Sequence, residues 1–593
     1  MKENKLEADR WQLYDLVNHD DISAAMTIAR LEKAVKQVEE WRLKLTPNIS
    51  ENDFLALLKD YEAAIKERTK LNVFVELQVS ADTQNEIALA FQARVKEICT
   101  QSYTRLLFVF LWWKNLDETN ATRLLQISGD LQYYLKRTRQ AKRHTLSEAE
   151  EKIIALKDMT GAQAMENLYD VITNGFEFKL IIDSEEKILT RDTISRRYTR
   201  HPDPELRIAA YQELHRVFAE HSLVLGQIYS YIVRDWHNEC LNLRRYETPI
   251  AVRNFANDIP DAAVETLLQV ITANSHVFQR YFRLKAKMLG MDKLQRYHLY
   301  APLISNGQEK KYNLATATQM VMETFCGFSP LIYQLAKKVF KEKHVDSEIR
   351  PGKCSGAFCC STIPELTPWV LLNYNGTAND VATMAHELGH AVHAMLANDH
   401  SVFNFHAPLP LAETASVFAE MLQTEKLLAT ETDLSARRQL LAETIDDIYA
   451  TVHRQGFFAL WEKEAHQLII EGKTTNELAD HYLANLKTQF GDAVEVSDEF
   501  RWEWTSISHF YATPFYVYAY AFGQLLTLSL YQIFKREGES FKDKYLKFLS
   551  YGGSASPVTI LQEIGIDITS AEFWQNGYDI VAGLVDQLEK MCE

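Results

Sequence analysis

Glycine and proline are scarce in this chain of 593 residues, with 21 and 14 occurrences. Both lie at about half of their usual shares of ~7% and ~5%. Because these residues shape tight turns, their scarcity favours a helical protein over one of many short strands. Hydrophobic residues make up 47% and charged residues 24% of the chain, which is typical of a globular protein and argues against a disordered, collagen-like or coiled-coil chain.

Basic residues are also in deficit. The 64 lysines and arginines stand against 80 acidic residues, giving a net charge of −16. Non-specific nucleic-acid binding needs a basic surface, so no nucleic-acid partner is expected. The charge is compatible with a cytosolic protein but identifies no partner, and no obligate protein partner is indicated.

Cysteines are few, and long apolar runs are missing. Seven cysteines, an odd number at low density, do not predict a secreted disulfide framework. The most apolar run, residues 106–113, is too short to cross ~30 Å of hydrocarbon as a helix. Residues 1–5 lead into polar sequence without the apolar core of a signal peptide. We therefore expect a cytoplasmic protein with no membrane partner.

Periodicity places the main elements. Apolar residues recur at helical spacing over 31–45, and Ser50 precedes a second helical run. Alternation over 176–180 is a weak strand signal, and the polar stretch 184–205 is expected to be an exposed connector or domain boundary. A glycine-containing loop is followed by a predicted strand over 369–374.

The chemistry-bearing motif is His386-Glu387-Leu388-Gly389-His390, inside a predicted helix over 381–397 with Asp380 as its N-cap. Residues four apart on a helix lie one above the other, so His386 and His390 can bind one metal ion. Glu387 is rotated by about 100° from His386, which suits a base acting on a metal-bound water. The pattern therefore predicts a zinc site that activates water against a carbonyl group.

A third ligand is needed. A histidine-rich extension of the motif requires glycine at 393 and histidine at 396, whereas this chain has His393 and Leu396. A downstream glutamate is the other solution, and Glu413 and Glu420 supply it. Being seven apart, they are expected to share a helix face, where one ligates zinc and the other orients a ligand. Solvated surface carboxylates remain the alternative for both.

The sequence resembles the oligoendopeptidase F family, which is related to thimet oligopeptidase among the zinc metallopeptidases. The matching segments lie mainly between residues 350 and 560, with weaker similarity upstream to about 200. They are the segments 352–358, 372–377, 386–390, 412–416, 454–455, 509–511, 514–518 and 552–557, with 300–302 upstream.

The resemblance implies one zinc ion per chain, bound by His386, His390 and Glu413, with Glu387 as general base. It further implies that His509, with Tyr516 or Tyr518, supports the tetrahedral oxyanion. Several further tyrosines, Tyr511 and Tyr520 among them, lie close by, and the sequence does not decide which points inward.

Substrate contacts are expected near the predicted strand. An edge strand beside the catalytic helix, through Leu372, can pair with an extended peptide backbone independently of its side chains. Gly356 would allow a loop to approach the peptide closely, and Tyr511 is a further candidate for substrate binding.

The chain also departs from the family pattern. Cys354 stands where a basic residue is expected, and His298 replaces an expected acidic residue. Cys359 and Cys360 form an unusual pair beside the expected cleft. Thiols packed in or near the cleft are the simplest interpretation, with redox sensitivity or a second metal as alternatives.

We expect a mainly α-helical fold with two helical lobes around a deep substrate channel and a small β-sheet next to the zinc-binding helix. Three regions are expected: helical periodicity gives an N-terminal helical region over 1–110, and the resemblance implies an oligopeptidase F N-terminal-like subdomain over 111–200 and a catalytic domain over 201–593. The expected function is zinc-dependent cleavage of internal bonds in short, unstructured peptides. A zinc carboxypeptidase or dipeptidase on a related fold, and a peptide-binding scaffold without activity, are the alternatives.

Overall fold

The computed structural model describes residues 10–17, 24–303 and 310–593. The N-terminal residues 1–5, on which the signal-peptide interpretation rests, lie outside this range. Helices dominate the described chain, as predicted from its composition. The α-helices, in chain order, are α1 Ala25–Glu40, α2 Glu51–Ala81, α3 Glu86–Asn115, α4 Glu118–Gln126, α5 Gln132–Gln140, α6 Glu148–Asp158, α7 Ala162–Asn174, α8 Arg191–Thr193, α9 Pro204–Glu220, α10 Ser222–Trp236, α11 Pro249–Asn257, α12 Asp261–Ala273, α13 Ser275–Met288, α14 Leu314–Phe328, α15 Pro330–Lys341, α16 Ala378–Leu396, α17 Leu409–Ala412, α18 Ser416–Thr430, α19 Leu434–Ile448, α20 Arg454–Ile470, α21 Thr475–Phe490, α22 Ser508–Ala512, α23 Tyr518–Glu537, α24 Glu539–Ser550, α25 Pro557–Glu563 and α26 Ala571–Cys592.

The β-structure of the described residues is confined to three small sheets. The strands are β1 Phe178–Ile182, β2 Glu185–Leu189, β3 Leu294–Gln295, β4 Val345–Asp346, β5 Phe358–Cys360, β6 Trp369–Leu371 and β7 Val494–Glu495. Strands β1 and β2 form an antiparallel hairpin, and β3 pairs with β7 in parallel. The third sheet has the order β4-β6-β5, parallel between β4 and β6 and antiparallel between β6 and β5.

The chain forms two compact units, each built from three separate segments. Unit 1 comprises Met1–Arg143, Lys310–Ala429 and Phe534–Ile566. Unit 2 comprises His144–Glu309, Thr430–Ile533 and Asp567–Glu593. The expected division into regions 1–110, 111–200 and 201–593 follows the order of the chain and stays a prediction, as does a channel between two lobes.

Each unit has its own aromatic core. In unit 1, helices α1, α2 and α3 enclose a hydrophobic cluster that also takes in Trp369 and Leu371 of β6, both fully buried. In unit 2, the rings of Trp461, Trp504 and Phe510 pack together, with centroids 4.9–5.2 Å from Trp461. Ring pairs at such spacing add to the stabilisation from burying their area. Burial of Trp369 and Leu371 in the cluster of unit 1 anchors the three-stranded sheet to that core.

Several local predictions are confirmed. Helix α1 covers most of the predicted run 31–45, and the Ser50 side chain accepts a hydrogen bond from the Asp53 amide at the start of α2. The strand predicted over 176–180 exists as β1. The stretch 184–205, predicted as an exposed connector or domain boundary, is exposed along β2 but is not an irregular connector, because it contains β2, α8 and a π-helical turn whose Ile194 is fully buried.

Within the described ranges, no helix has both the length and the apolar character that a membrane span requires.

Candidate active site

Helix α16 carries the metal motif in unit 1. The sequence predicted Asp380 as its N-cap, but Thr377 occupies that position. The Thr377 hydroxyl accepts from the Asp380 amide, and the Asp380 carboxylate accepts from the Thr377 amide. This reciprocal arrangement satisfies two amides that the helix leaves free, and it starts the helix three residues earlier than predicted.

The motif's histidines lie one turn apart on α16 and converge with Glu413. Oε2 of Glu413 lies 3.4 Å from Nε2 of His386 and 3.4 Å from Nε2 of His390. The Ser416 hydroxyl donates to the same carboxylate oxygen at 2.7 Å and fixes its orientation. Burial favours the protonated carboxyl, but the contacts with the two histidines outweigh it and hold the pKa of Glu413 well below its usual range.

Glu420 contacts the other nitrogen of His386. Its Oε2 lies 2.9 Å from Nδ1 of His386, an arrangement that leaves Nε2 free to bind a metal. The prediction that Glu413 and Glu420 share one helix face is wrong. Glu413 lies in the turn between α17 and α18, and Glu420 lies on α18. The two carboxylates reach His386 from different elements.

These three side chains fit a divalent metal ion. The ligand atoms of His386, His390 and Glu413 all lie within 4.8 Å of one another. In a tetrahedral site with bonds of about 2.1 Å, ligand atoms are separated by about 3.4 Å, which is the distance from Glu413 to each histidine. Two imidazoles and one carboxylate leave a fourth position open, as in catalytic rather than structural sites.

Glu387 lies beside this cluster. It is 6% exposed, and burial raises its pKa above the usual value. It lines a cavity of about 360 Å³ together with His386, His390 and Glu413. His393 also lines this cavity, and burial lowers its pKa to about 4, so that it is neutral at pH 7.

An outer strand edge, for which the described residues supply no backbone partner, borders the same cavity, but it is not the predicted one. The strand that precedes Leu372 is β6, which is the centre of its sheet, while β5 is at the edge. Leu372 is 2% exposed, and its amide donates to Asp346 rather than to any ligand. The Val370 amide points to the β4 side, where it bonds the carbonyl of His344.

The direction of the Val370 amide determines which backbone groups of β5 face the sheet. Trp369 and Leu371 must direct their backbone groups at Cys360 and Phe358, their partners on β5. The N–H and C=O of Cys359, opposite Val370, therefore point away from the sheet. Cys359 also lines the cavity with His386. Gly356 lies two residues before β5 with φ of +82°, a conformation that favours glycine.

The His509 segment belongs to unit 2. The ring of His509 stacks on that of Tyr516 with centroids 5.7 Å apart, and its Nε2 lies 3.2 Å from the hydroxyl of Tyr520. All three side chains are partly exposed. Burial lowers the pKa of the His509 imidazole.

The other two tyrosines of this segment face the interior of unit 2. The Tyr518 hydroxyl accepts a hydrogen bond from the Asn257 side chain at 2.9 Å, and Tyr511 stacks on Tyr169 with centroids 3.8 Å apart. Both are fully buried. In this structure they pack as core residues of unit 2, without exposed surface to offer a substrate.

Comparison with known proteins gives this arrangement its context. A family model of peptidase family M3 matches residues 197–580, and a second model, described as Oligopeptidase F, matches residues 112–178. The chain belongs to peptidase family M3. This confirms the resemblance found in the sequence, and membership indicates hydrolysis of peptide bonds.

Individual relatives of this M3 peptidase match nearly end to end. An oligoendopeptidase F homolog of Borreliella burgdorferi is 26% identical, with 99% of each chain covered. Oligopeptidase PepF of Bacillus subtilis is 25% identical over 98% of this chain and 87% of its own length. The crystal structure of oligoendopeptidase-F from Enterococcus faecium superposes with a TM-score of 0.72 at 21% identity, covering 95% and 98% of the two chains. The mainly helical fold with small sheets is therefore shared with that structure.

Sequence reasoning missed two residues that shape the M3 site. A Cβ on Gly389 would lie 2.6 Å from the carbonyl oxygen of Ala415, so only glycine lets α16 approach the turn that carries Glu413. The glycine itself could have been singled out, since Gly389 lies inside the motif, but the sequence does not show that Ala415 packs against it. Ser416 was seen only as part of a matching segment, and its contact with Glu413 required the fold.

In unit 2, Glu462 was also missed. It accepts a hydrogen bond from the Phe515 amide at 2.8 Å, and burial raises its pKa to about 8. Phe515 has φ of +58°, which costs a residue with a side chain of this size free energy. Arg253 donates to the neighbouring Pro514 carbonyl. These contacts hold the segment between His509 and Tyr516 in a strained conformation.

Proposed function

We propose that this M3 peptidase is a zinc-dependent endopeptidase that cleaves internal bonds of short, unstructured peptides. The observation that carries the proposal is the convergence of His386, His390 and Glu413 at metal-ligand spacing, with Glu387 buried against them in one cavity. The near end-to-end match to oligoendopeptidase F relatives supports the substrate class.

The ligand set favours zinc, which prefers nitrogen and oxygen donors in a tetrahedral site. Bound there, zinc would supply a water of lowered pKa and polarise the scissile carbonyl. Glu420 would hold the proton on Nδ1 of His386, so that Nε2 keeps its lone pair for the metal.

Glu387 is assigned the proton transfers. Its carboxylate would accept a proton from the attacking water and deliver it to the nitrogen of the leaving amine. Burial makes the carboxylate a better base by raising its pKa towards neutrality.

We assign stabilisation of the tetrahedral oxyanion to His509 and Tyr516. Their partly exposed polar atoms can donate to developing negative charge, and such a donor contributes about 3 kcal/mol to transition-state stabilisation. Tyr520, which contacts His509, would orient that imidazole. His509→Ala should therefore lower kcat more than it raises KM. A variant with unchanged kcat would remove His509 from the chemistry.

The substrate backbone is assigned to the outer edge of β5. The outward N–H and C=O of Cys359 would pair with an extended peptide beside His386, and Gly356 would leave room for its passage. Leu372 would support this edge from behind, through the β6 side of the sheet. Pairing through the main chain accounts for broad side-chain tolerance.

A carboxypeptidase needs a cation that captures the substrate's free terminus. Among the described residues that line the cavity around His386, none is lysine or arginine. A peptide-binding scaffold without activity has no need of a base, whereas Glu387 is present and buried beside the two histidines. Both features favour the endopeptidase.

The test is cleavage of an internally quenched peptide of about nine residues, blocked at both ends. Wild type, Glu387→Gln and Glu97→Gln are compared after zinc loading; Glu97 is an exposed glutamate of unit 1 and serves as the matched control. Internal cleavage by wild type and Glu97→Gln, with loss of turnover but full zinc content in Glu387→Gln, is expected. If only peptides with free ends were cleaved, the terminus-dependent alternative would replace the proposal.

A further inference from the structure

Unit 2 contains a second cavity that is rich in arginine. Its volume is about 470 Å³, and it is lined by parts of α8 and the π-helical turn after it, of α9 and α20, and of the segments 296–300 and 503–506. Five of its lining residues are arginines: Arg191, Arg196, Arg200, Arg296 and Arg454. Only two carboxylates, Asp192 and Glu503, share the lining, which leaves an excess of three positive charges.

Two of the arginines share one carboxylate at the buried end of the cavity. Oε1 of Glu503 accepts from Nη2 of Arg296 at 2.7 Å and from Nη2 of Arg454 at 2.9 Å. Arg296 is 1% exposed, and its Nε and Nη1 have no hydrogen-bond acceptor among the described residues. The Nε of Arg454 is likewise unsatisfied. Buried donors of a charged group without acceptors are costly, which indicates that an acceptor is missing here.

The outer arginines add charge that is poorly compensated. Arg200 stacks over Tyr300 at 5.0 Å, and no ion pair joins it to a carboxylate in the described structure. Arg191 donates to the Ser506 carbonyl and the Thr173 hydroxyl, which are neutral acceptors. Only Arg196 has a partner of its own, Asp192, at 2.6 Å on the exposed rim.

Neighbouring groups do not cancel this charge. His215 lines the cavity, and burial lowers its pKa to about 4, so it carries no charge at pH 7. Asp446, which lies within electrostatic reach of Arg200, is already paired with Lys285 at 2.5 Å. His298 is no acceptor for the cavity arginines, since its Nδ1 accepts from Arg207.

We propose that this cavity of unit 2 binds a small oxyanion of the phosphate type with at least two negative charges, either free or as the phosphate group of a small molecule. The planar guanidinium fork matches phosphate oxygens and forms strong charge-assisted hydrogen bonds with them. The volume exceeds the needs of orthophosphate alone and leaves room for the remainder of a phosphorylated molecule. This inference is independent of the proposed endopeptidase mechanism, because its residues all lie in unit 2 and none is assigned a role in that mechanism.

Calorimetric titration of the full-length, zinc-loaded protein with orthophosphate and with pyrophosphate, at constant ionic strength set by chloride, tests the proposal. Arg200→Gln removes one exposed cavity arginine. Arg197→Gln is the matched control, because Arg197 is exposed on the same turn and does not line the cavity. Arg196→Gln provides a second cavity variant, and melting temperatures in chloride show that each variant is folded.

We expect saturable binding to wild type and to Arg197→Gln, and a Kd raised tenfold or more in Arg200→Gln. Tighter binding of pyrophosphate than of orthophosphate would indicate an extended phosphate ligand, whereas equal binding would indicate the free ion. Equal affinity of Arg200→Gln, Arg196→Gln and Arg197→Gln would place the anion elsewhere, including at the metal, and overturn the proposal. No saturable binding to wild type would overturn it as well.

Discussion

Replacing Gly389 with alanine tests how the candidate site of this M3 peptidase holds Glu413, its proposed glutamate ligand. Gly389 lies between the two histidines of α16, at the point where this helix crosses the turn before α18. A Cβ there would lie 2.6 Å from the Ala415 carbonyl oxygen and 2.7 Å from Cα of Ser416. Both are backbone atoms, so no side-chain rotation can relieve the overlap.

The size of the effect follows from these distances. An ordinary van der Waals contact is about 3.5 Å, so the turn must retreat by about 0.9 Å. Metal sites tolerate deviations of only about 0.2 Å in their ligand distances. Glu413 lies two residues before Ala415 and would move with it, so we expect zinc affinity to fall at least tenfold. Overpacking should also cost about 1–3 kcal/mol of folding free energy.

The assay compares Gly389→Ala with Gly327→Ala. Gly327 lies on α14 in the same unit, and a Cβ there would meet nothing within 4 Å. Both variants gain about 1 kcal/mol from the higher helix propensity of alanine. The difference between their free energies of unfolding in urea therefore measures the cost of the steric overlap at Gly389. Chelator competition measures zinc affinity. If Gly389→Ala bound zinc as wild type does and matched Gly327→Ala in stability, the close approach of α16 to the turn would be refuted.

Three shorter predictions follow from other contacts. Glu420→Gln should weaken zinc binding tenfold to a hundredfold by removing the charge that orients a histidine, and chelator competition would show it; unchanged affinity would contradict the contact. Thr377→Ala should cost about 1 kcal/mol in urea unfolding through the lost N-cap, and a stability equal to wild type would argue against that cap. Although burial opposes ionisation, Arg296 and Arg454 hold the pKa of Glu503 at about 2, below its unfolded value of 4.5. Its contribution of about 3 kcal/mol is therefore present above pH 4.5 and lost as the pH falls towards 2, so wild type should lose more stability than Glu503→Gln between pH 5 and 3.

The metal motif was readable from the chain because its geometry is local. Spacing of four residues on a helix determines which side His386 and His390 share, whatever surrounds the helix. The same holds for Ser50, whose hydroxyl caps α2 through an amide three residues away. Glu413 and Glu420 could be nominated by residue type, but the break between α17 and α18 that separates them is set by tertiary packing.

Contacts between separate elements could not be predicted from the sequence in this way. Each unit combines three chain segments, and the residues that cap, orient or crowd the metal site all lie in one of them, Lys310–Ala429, but on separate elements. Ser416 and Gly389 affect Glu413 through contacts with the turn between α17 and α18. The sequence predicts the helix that carries Gly389, but it does not predict that this turn packs against it. The arginine cavity likewise gathers side chains from 191–200, 296 and 454, none of which carries a motif that predicts the grouping.

The outer edge of β5 shows how strand pairing determines which backbone groups are available to a substrate peptide. Backbone groups alternate in direction along a strand, so shifting β5 by one residue against β6 would turn the Cys359 amide into the sheet and expose those of its neighbours. Residues 358–360 are apolar throughout, so their sequence fits either register. It would equally fit a strand at the centre of the sheet. What places β5 at the edge is the pairing of β6 with β4, a strand of two residues without a sequence signal. A local pattern at 369–374 could therefore predict a strand, but the edge offered to a peptide depends on a partner 25 residues upstream.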